Sequence, residues 1–323
     1  MKAVVVDRHG GPEVLTVVDL DIPEPGPGQV RVDVAASGVN FIDIYERTGA
    51  YPMQPPFVAG SEGAGTVSDV GPGVADVGVG DRVAWAMVPG GGYAEVVVVP
   101  ADRVAPVPEE ISPDTAAAAM LQGLTAHYLC ESTFPIKAGQ IALVHAAAGG
   151  LGLLLTQMIT GKGARVIGTT SSEEKAALAR QAGAAEVVDY TTADVVAEVR
   201  RMTNHRGVDV VYDGVGKSTF DASLDCLALR GTMVLFGAAS GPVPPVDPQL
   251  LNRKGSLFLT RPTLAHHIAT REELLWRASE VFGQVADGRL SVRIGDRYPY
   301  DRASRAHEDL AGRRTTGKLL IVP

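Results

Sequence analysis

Between Ile141 and Thr260 the sequence alternates short β-branched runs with helical stretches, and this alternation narrows the folds open to the chain more than any other feature. The runs are Ile141–Ala146, Arg165–Thr170, Glu186–Asp189, Val208–Asp213, Thr232–Gly237 and Leu257–Thr260. Between them Leu151–Thr160 reads as a helix, Ser172 caps a second through Lys175, Leu178 and Ala182, and Thr192 caps a third over Asp194–Met202. Six strands interleaved with helices predict a doubly wound parallel sheet of Rossmann type. The first strand runs into "HAAAGGLG", His145 to Gly152, where such a sheet binds phosphate. Gly149 lets the backbone approach a pyrophosphate, helix-terminal N–H groups face the anion, and Gly152 permits close helix–strand packing. Ala147 replaces the first glycine of that pattern and is tolerable if its φ stays negative.

The end of the second strand decides which dinucleotide fits. An NAD site there carries an acid for the ribose 2′-hydroxyl. Here the segment reads "ARVIGTTSSEEK", offering Thr170, Ser171 and Ser172, with Lys175 a turn further and Tyr190 closing the next strand. Glu173 and Glu174 argue the other way, but at a helix start they suit the dipole. The pattern favours NADPH over NADH.

The first third is different in texture. Met1–Asp7, Val30–Ala35, Gly65–Val70, Arg82–Ala86 and Tyr93–Val99 are strand-like, broken by "EPGPGQ" and "PGGG" turns, as in a small β-barrel or sandwich. The tail holds a Thr270-capped helix ended by Gly288, then a strand, a helix and a last strand that return to this first domain. The expected division is 1–124 with 266–323 as one domain and 125–265 as the other, with a cleft between them. At 323 residues, 46% hydrophobic and 20% charged, the composition is that of a soluble globular protein. A net charge of −8 disfavours nucleic acid and anionic membranes, no apolar run suits a signal or a membrane span, and two distant cysteines, Cys130 and Cys226, read as reduced and buried. A cytoplasmic location is expected.

Several segments together, "AASGVNFIDIYERTGAYP", "PFVAGSEGAGTVSDVG", "GDRVAW", "MLQGLTAHYL", "HAAAGGLG", "VDVVYDGVG" and "LNRKGSLFLTRP", resemble the zinc-free quinone oxidoreductase (zeta-crystallin-like) branch of the medium-chain dehydrogenase/reductase superfamily. The resemblance runs end to end. It implies a GroES-like β-barrel catalytic domain beside the Rossmann domain, and NADPH as cofactor. It also implies that Asn40 and Ser61 stand where zinc-dependent relatives place a Cys and a His. Neither is a good zinc ligand, and no cysteine cluster exists for a structural zinc. By the same resemblance Asn40 lies beside the nicotinamide, and Tyr45 and Tyr51 line the quinone. Ala147, Gly149, Gly150, Leu151 and Gly152 meet the pyrophosphate; Ser171, Lys175 and Tyr190 meet the adenosine phosphate; Val215, Gly216, Phe236, Gly237 and Arg313 contact the rest of the cofactor. Tyr45 and Tyr51 could instead cover apolar surface, and Arg313 could be a solvated charge. Asp43 and Asp213 read as structural hydrogen-bonding residues, and His145 as a packed histidine.

The implied reaction is two-electron or one-electron reduction of a quinone by NADPH, with hydride leaving the nicotinamide in a metal-free interdomain cleft. A quinone accepts hydride as a delocalised phenolate, so position and electrostatics suffice without a Lewis acid. Two alternatives are reduction of an activated double bond in an enone or enal, and a noncatalytic NADPH-responsive RNA-binding role. The acidic balance and the lack of a basic patch interleaved with aromatics oppose the latter. A homodimer through "SLFLTRP" is expected, because that strand would sit at a sheet edge.

Overall fold

A computed structural model describes residues 1–323 and divides the chain into two compact units, Met1–Leu124 with His267–Pro323, and Thr125–His266.

The second unit is a six-stranded parallel sheet. Its strands lie in the order Glu186–Asp189, Arg165–Thr170, Ile141–Val144, Val208–Asp213, Leu227–Leu235, Phe258–Thr260. Order reverses between the Ile141 and Val208 strands, the switch point at which open α/β sheets bind ligands. Leu143, Ile167, Val211 and Met233 are fully buried in a core that also takes in Phe220 and Leu224 of the helix Phe220–Cys226. Such strands are covered on both faces, which explains their continuous apolar sequence.

Two local expectations need correction. The third helix is Val195–Met202, and Asp194 caps it, accepting N–H from Val196 at 2.9 Å and Ala197 at 3.1 Å. Thr192 instead donates its hydroxyl to the Asp189 carbonyl. The fifth strand starts at Leu227 rather than Thr232: its register with Val208–Asp213 shifts between Leu227 and Thr232, where Arg230 adopts φ 61°.

In the first unit the long strand Gln29–Val39 organises everything around it. It pairs antiparallel with Glu62–Val70, with Val96–Pro100 and with the C-terminal strand Lys318–Val322. Ile294–Pro299 lies parallel to that last strand, so the tail belongs to the same sheet. Lys2–Val6 forms a separate small sheet with Leu15–Asp19 and Phe57–Val58. One core gathers Val30, Val32, Val83, Trp85 and Val99; another gathers Val4, Val39, Tyr93, Leu319 and Ile321. No helix is long and apolar enough to cross a membrane.

Candidate active site

In the second unit the glycine turn joins the strand Ile141–Val144 to the helix Gly150–Gly161. Gly149 is the N-cap and no side chain caps this helix, so its first-turn N–H groups, including those of Gly150 and Leu151, are directed out of its start. A Cβ on Gly152 would lie 2.3 Å from the Ala146 carbonyl oxygen and 2.8 Å from Ala147 Cα. Only glycine lets helix and turn meet this closely. Ala147 is fully buried and donates its N–H to the Thr169 carbonyl at 3.0 Å. The left-handed residue is its neighbour Ala146, at φ 51°, and Ala147 is not among the positive-φ residues.

Ser171 and Lys175 come together at the end of Arg165–Thr170. Ser172 caps the helix Glu173–Gln181, which returns Lys175 so that its Nζ donates to Ser171 Oγ at 3.3 Å. Tyr190 follows the adjacent strand, its N–H on the Thr170 carbonyl and its ring 40% exposed. The nearby Asp189 carboxylate is occupied by the backbone and hydroxyl of Thr191, which hold its pKa below the usual range. An ammonium and a hydroxyl, with the adjoining acid turned to its own loop, fit a phosphomonoester.

The turns that hold Val215–Gly216 and Phe236–Gly237 both close on Asp213. Asp213 Oδ1 accepts N–H from Val215 at 2.7 Å and Gly216 at 3.0 Å, while its Oδ2 accepts the hydroxyls of Thr219 and Ser223. Phe236 N–H returns to the Asp213 carbonyl at 2.9 Å. Gly216 adopts φ 88°, and a Cβ on it would come within 3.3 Å of the Gly237 carbonyl oxygen. His145 is buried between Thr169 Oγ1 and Ser223 Oγ, each 3.0 Å from a ring nitrogen. Since Ser223 donates to Asp213, it accepts from His145 Nε2–H; burial keeps this imidazole's pKa low and its role structural.

The remaining candidates lie in the first unit. Asn40 is the N-cap of the helix Phe41–Arg47, and Asp43 Oδ2 accepts its backbone N–H at 2.8 Å. Tyr45, one turn along this helix, packs on Tyr51 with ring centroids 5.1 Å apart, and Phe41 stands 6.2 Å from Tyr45. These three rings form an aromatic surface suited to a flat conjugated molecule. Arg313 lies exposed in the turn before the last strand, at φ 56°.

Around Asn40 lies a buried polar network that the sequence reading does not anticipate. Asn40 Nδ2 donates to Glu62 Oε1 at 2.6 Å, and its Oδ1 accepts from Lys318 Nζ at 2.7 Å. Lys318 also pairs with Glu62, whose Oε2 accepts the Leu121 N–H at 2.7 Å. Behind the helix, Asp43 accepts the Tyr93 hydroxyl at 2.9 Å and faces Ser61 Oγ at 3.5 Å. Burial, then the charge of Glu46, pushes Asp43 up to about 7, and burial takes Glu46 to about 7 as well. Burial and the Asp43 carboxylate hold the Tyr93 phenol well above its ordinary value, so Tyr93 remains the donor.

This network leaves little for a metal. The Asn40 carboxamide is taken up by Glu62 and Lys318, an ammonium sits beside it, and no group of three or more His, Cys, Asp or Glu is disposed to hold an ion. The residues present do not fit zinc.

Residues 26–109 match the family described as alcohol dehydrogenase GroES-like domain, and residues 150–275 match the one described as zinc-binding dehydrogenase. A quinone oxidoreductase of Pseudomonas aeruginosa is 46% identical over 100% of this chain and 99% of its own. The chain belongs to the quinone oxidoreductase family of medium-chain dehydrogenases/reductases. The crystal structure of the Escherichia coli quinone oxidoreductase complexed with NADPH superimposes with a TM-score of 0.98, at 43% identity and with 100% of both chains covered. A Burkholderia 2-haloacrylate reductase is 40% identical over 100% of this chain and 99% of its own. The quinone oxidoreductase family thus accounts for both units, a GroES-like one and a Rossmann one.

Proposed function

We propose that this chain reduces quinones with NADPH, taking up one proton per hydride to give hydroquinone and NADP+. When bound, NADPH supplies the hydride. The observation that carries the reading is the substitution at Asn40 and Ser61, where metal-dependent relatives hold zinc and this chain has a carboxamide and a hydroxyl engaged with Glu62, Lys318 and Asp43. Such a site suits an acceptor that stabilises its own negative charge after hydride addition.

Each group then has a limited task. Ser171, Lys175 and Tyr190 hold the adenosine phosphate and give NADPH its preference over NADH. Gly149, Gly150, Leu151 and Gly152, with Ala147 beneath them, receive the pyrophosphate, while Val215, Gly216, Phe236, Gly237 and Arg313 hold the middle of the dinucleotide. Asn40 orients the nicotinamide end. Tyr45 and Tyr51 stack the acceptor and fix its distance, which is where most of the rate enhancement arises for an intrinsically reactive quinone.

A second reading, reduction of an activated carbon–carbon double bond, is favoured by the full-length similarity to 2-haloacrylate reductase. Comparing NADPH oxidation with 1,4-naphthoquinone, an α,β-unsaturated ketone and 2-chloroacrylate separates the two. Quinone turnover far above the others supports the first reading, and preferred turnover of either alkene replaces it.

The protein acts as a homodimer in the cytoplasm on this account. Phe258–Thr260 is an edge strand of the six-stranded sheet, Phe258 is 61% exposed, and Leu229 on the neighbouring strand is 78% exposed. A second copy pairing along this edge buries both side chains. A monomer in sedimentation equilibrium overturns this part of the reading.

A further inference from the structure

Asn40, Glu62 and Lys318 converge from adjacent strands. Asn40 directly follows Gln29–Val39, while Glu62 and Lys318 open the two strands that flank it. All three side chains are at most 5% exposed. Between the charged pair and the backbone lies Gly38, where a Cβ would fall 1.9 Å from Glu62 Oε1 and 2.5 Å from Lys318 Cε. The fold therefore keeps a space at Gly38 that the ion pair fills.

The chemistry of the pair fixes Asn40 in one of its two amide orientations. An ammonium only donates, so the atom facing Lys318 has to be Oδ1; a carboxylate only accepts, so the atom facing Glu62 has to be Nδ2. Turning the amide over sets two donors, and two acceptors, against each other in a buried site. Burying an ion pair is a poor route to stability for its own sake, since apolar replacements of equal volume commonly do as well. A pair that dictates the polarity of a neighbouring amide has a different use.

We propose that Lys318 and Glu62 are positioning residues for hydride transfer, locking the Asn40 carboxamide so that it presents one fixed pattern of donor and acceptor to the nicotinamide end of NADPH. The inference rests on the placement of Asn40 in the proposed function. Asn40 does the contacting; Lys318 and Glu62 act through it. Losing the lock leaves the adenosine and pyrophosphate contacts in place but lets the reacting ring wander.

The test compares wild type with K318M/E62Q, which removes both charges together and strands neither, and with G38A, which keeps every charge and wedges the pair apart. NADPH affinity is read by fluorescence titration, chemistry by kcat and by the primary deuterium isotope effect from 4-deuterated NADPH. The expected pattern is a dissociation constant within about threefold of wild type, kcat lower by about tenfold or more, and a larger isotope effect as hydride transfer becomes limiting. A folded variant with kcat within about twofold and an unchanged isotope effect overturns the proposal, because the pair is then only structural. Should neither variant fold, wild type alone decides through 15N-labelled Asn40. A locked carboxamide gives slowly exchanging Nδ2 protons, and exchange at the rate of an exposed amide overturns the lock. If wild type turns over no quinone, the functional reading fails, while the affinity and exchange measurements still judge the pair.

Discussion

Arg47 Nη1 lies 3.1 Å from Nδ1 of the buried His307, and because a guanidinium can only donate, the imidazole proton is placed on Nε2. From there it points at the Tyr93 hydroxyl, 3.1 Å away, and Tyr93 in turn donates to Asp43. A one-way chain of donors thus leaves the helix that Asn40 caps at Arg47, passes through His307 of the helix Ala303–Ala311, and returns to the first helix at Asp43.

The chain requires His307 to stay neutral. Burial, reinforced by Arg47, depresses its pKa to about 3. Since the folded value lies below the unfolded one, the stability it contributes is complete above about 6.5 and is lost as pH falls toward 3. Imidazole 15N shifts of His307 should show an Nε2–H tautomer with no titration between about pH 8 and pH 5. A midpoint near the ordinary histidine value contradicts the donor chain.

Asp43 has the opposite sign. Its folded pKa of about 7 exceeds the ordinary 3.8, so it favours the folded state most at pH below that ordinary value and loses this as pH rises through 7. Urea unfolding of wild type and Asp43→Asn at several pH values should show wild type's stability relative to the variant declining from about pH 5 to about pH 8. A relative gain over that interval would mean that the hydrogen bonds from Asn40 and Tyr93 outweigh burial.

Cofactor choice is testable at Lys175, whose ammonium rests on Ser171. Lys175→Ala should lower kcat/KM for NADPH by about ten- to a hundredfold, the worth of a charged hydrogen bond, and leave NADH nearly unaffected. Equal losses with both cofactors would remove Lys175 from the phosphate site.

Two glycines of one helix offer a contrast. Gly152→Ala presses a methyl group on backbone atoms of the turn and should cost about 1–3 kcal/mol in stability while weakening NADPH binding. A Cβ at Gly161 meets nothing within 4 Å, and Gly161→Ala should be neutral or slightly stabilising. Thermal melts and fluorescence titrations of the two variants check both.

What the sequence discloses follows from the range of each interaction. The parallel strands are legible because a strand covered on both faces is apolar throughout, and the bounds of Arg165–Thr170 and Val208–Asp213 coincide with the runs read from sequence. The glycine turn and the Ser172 cap are local patterns too. Lys318 is illegible for the opposite reason. It opens the apolar run "KLLIV" and looks like a solvated strand end, yet it meets Glu62 across 256 residues, a contact that only the strand order creates. Glu62, in "GSEGAG", and His307, in "RAHEDL", give no sign of burial by themselves.

The central claim is that position and protein electrostatics carry hydride from NADPH to a quinone. It is tested most directly by stripping the protein with a chelator, verifying by elemental analysis that no metal remains, and measuring kcat/KM for 1,4-naphthoquinone. Full activity in the metal-free protein is the predicted result. Activity that disappears with the metal and returns with stoichiometric zinc would contradict it.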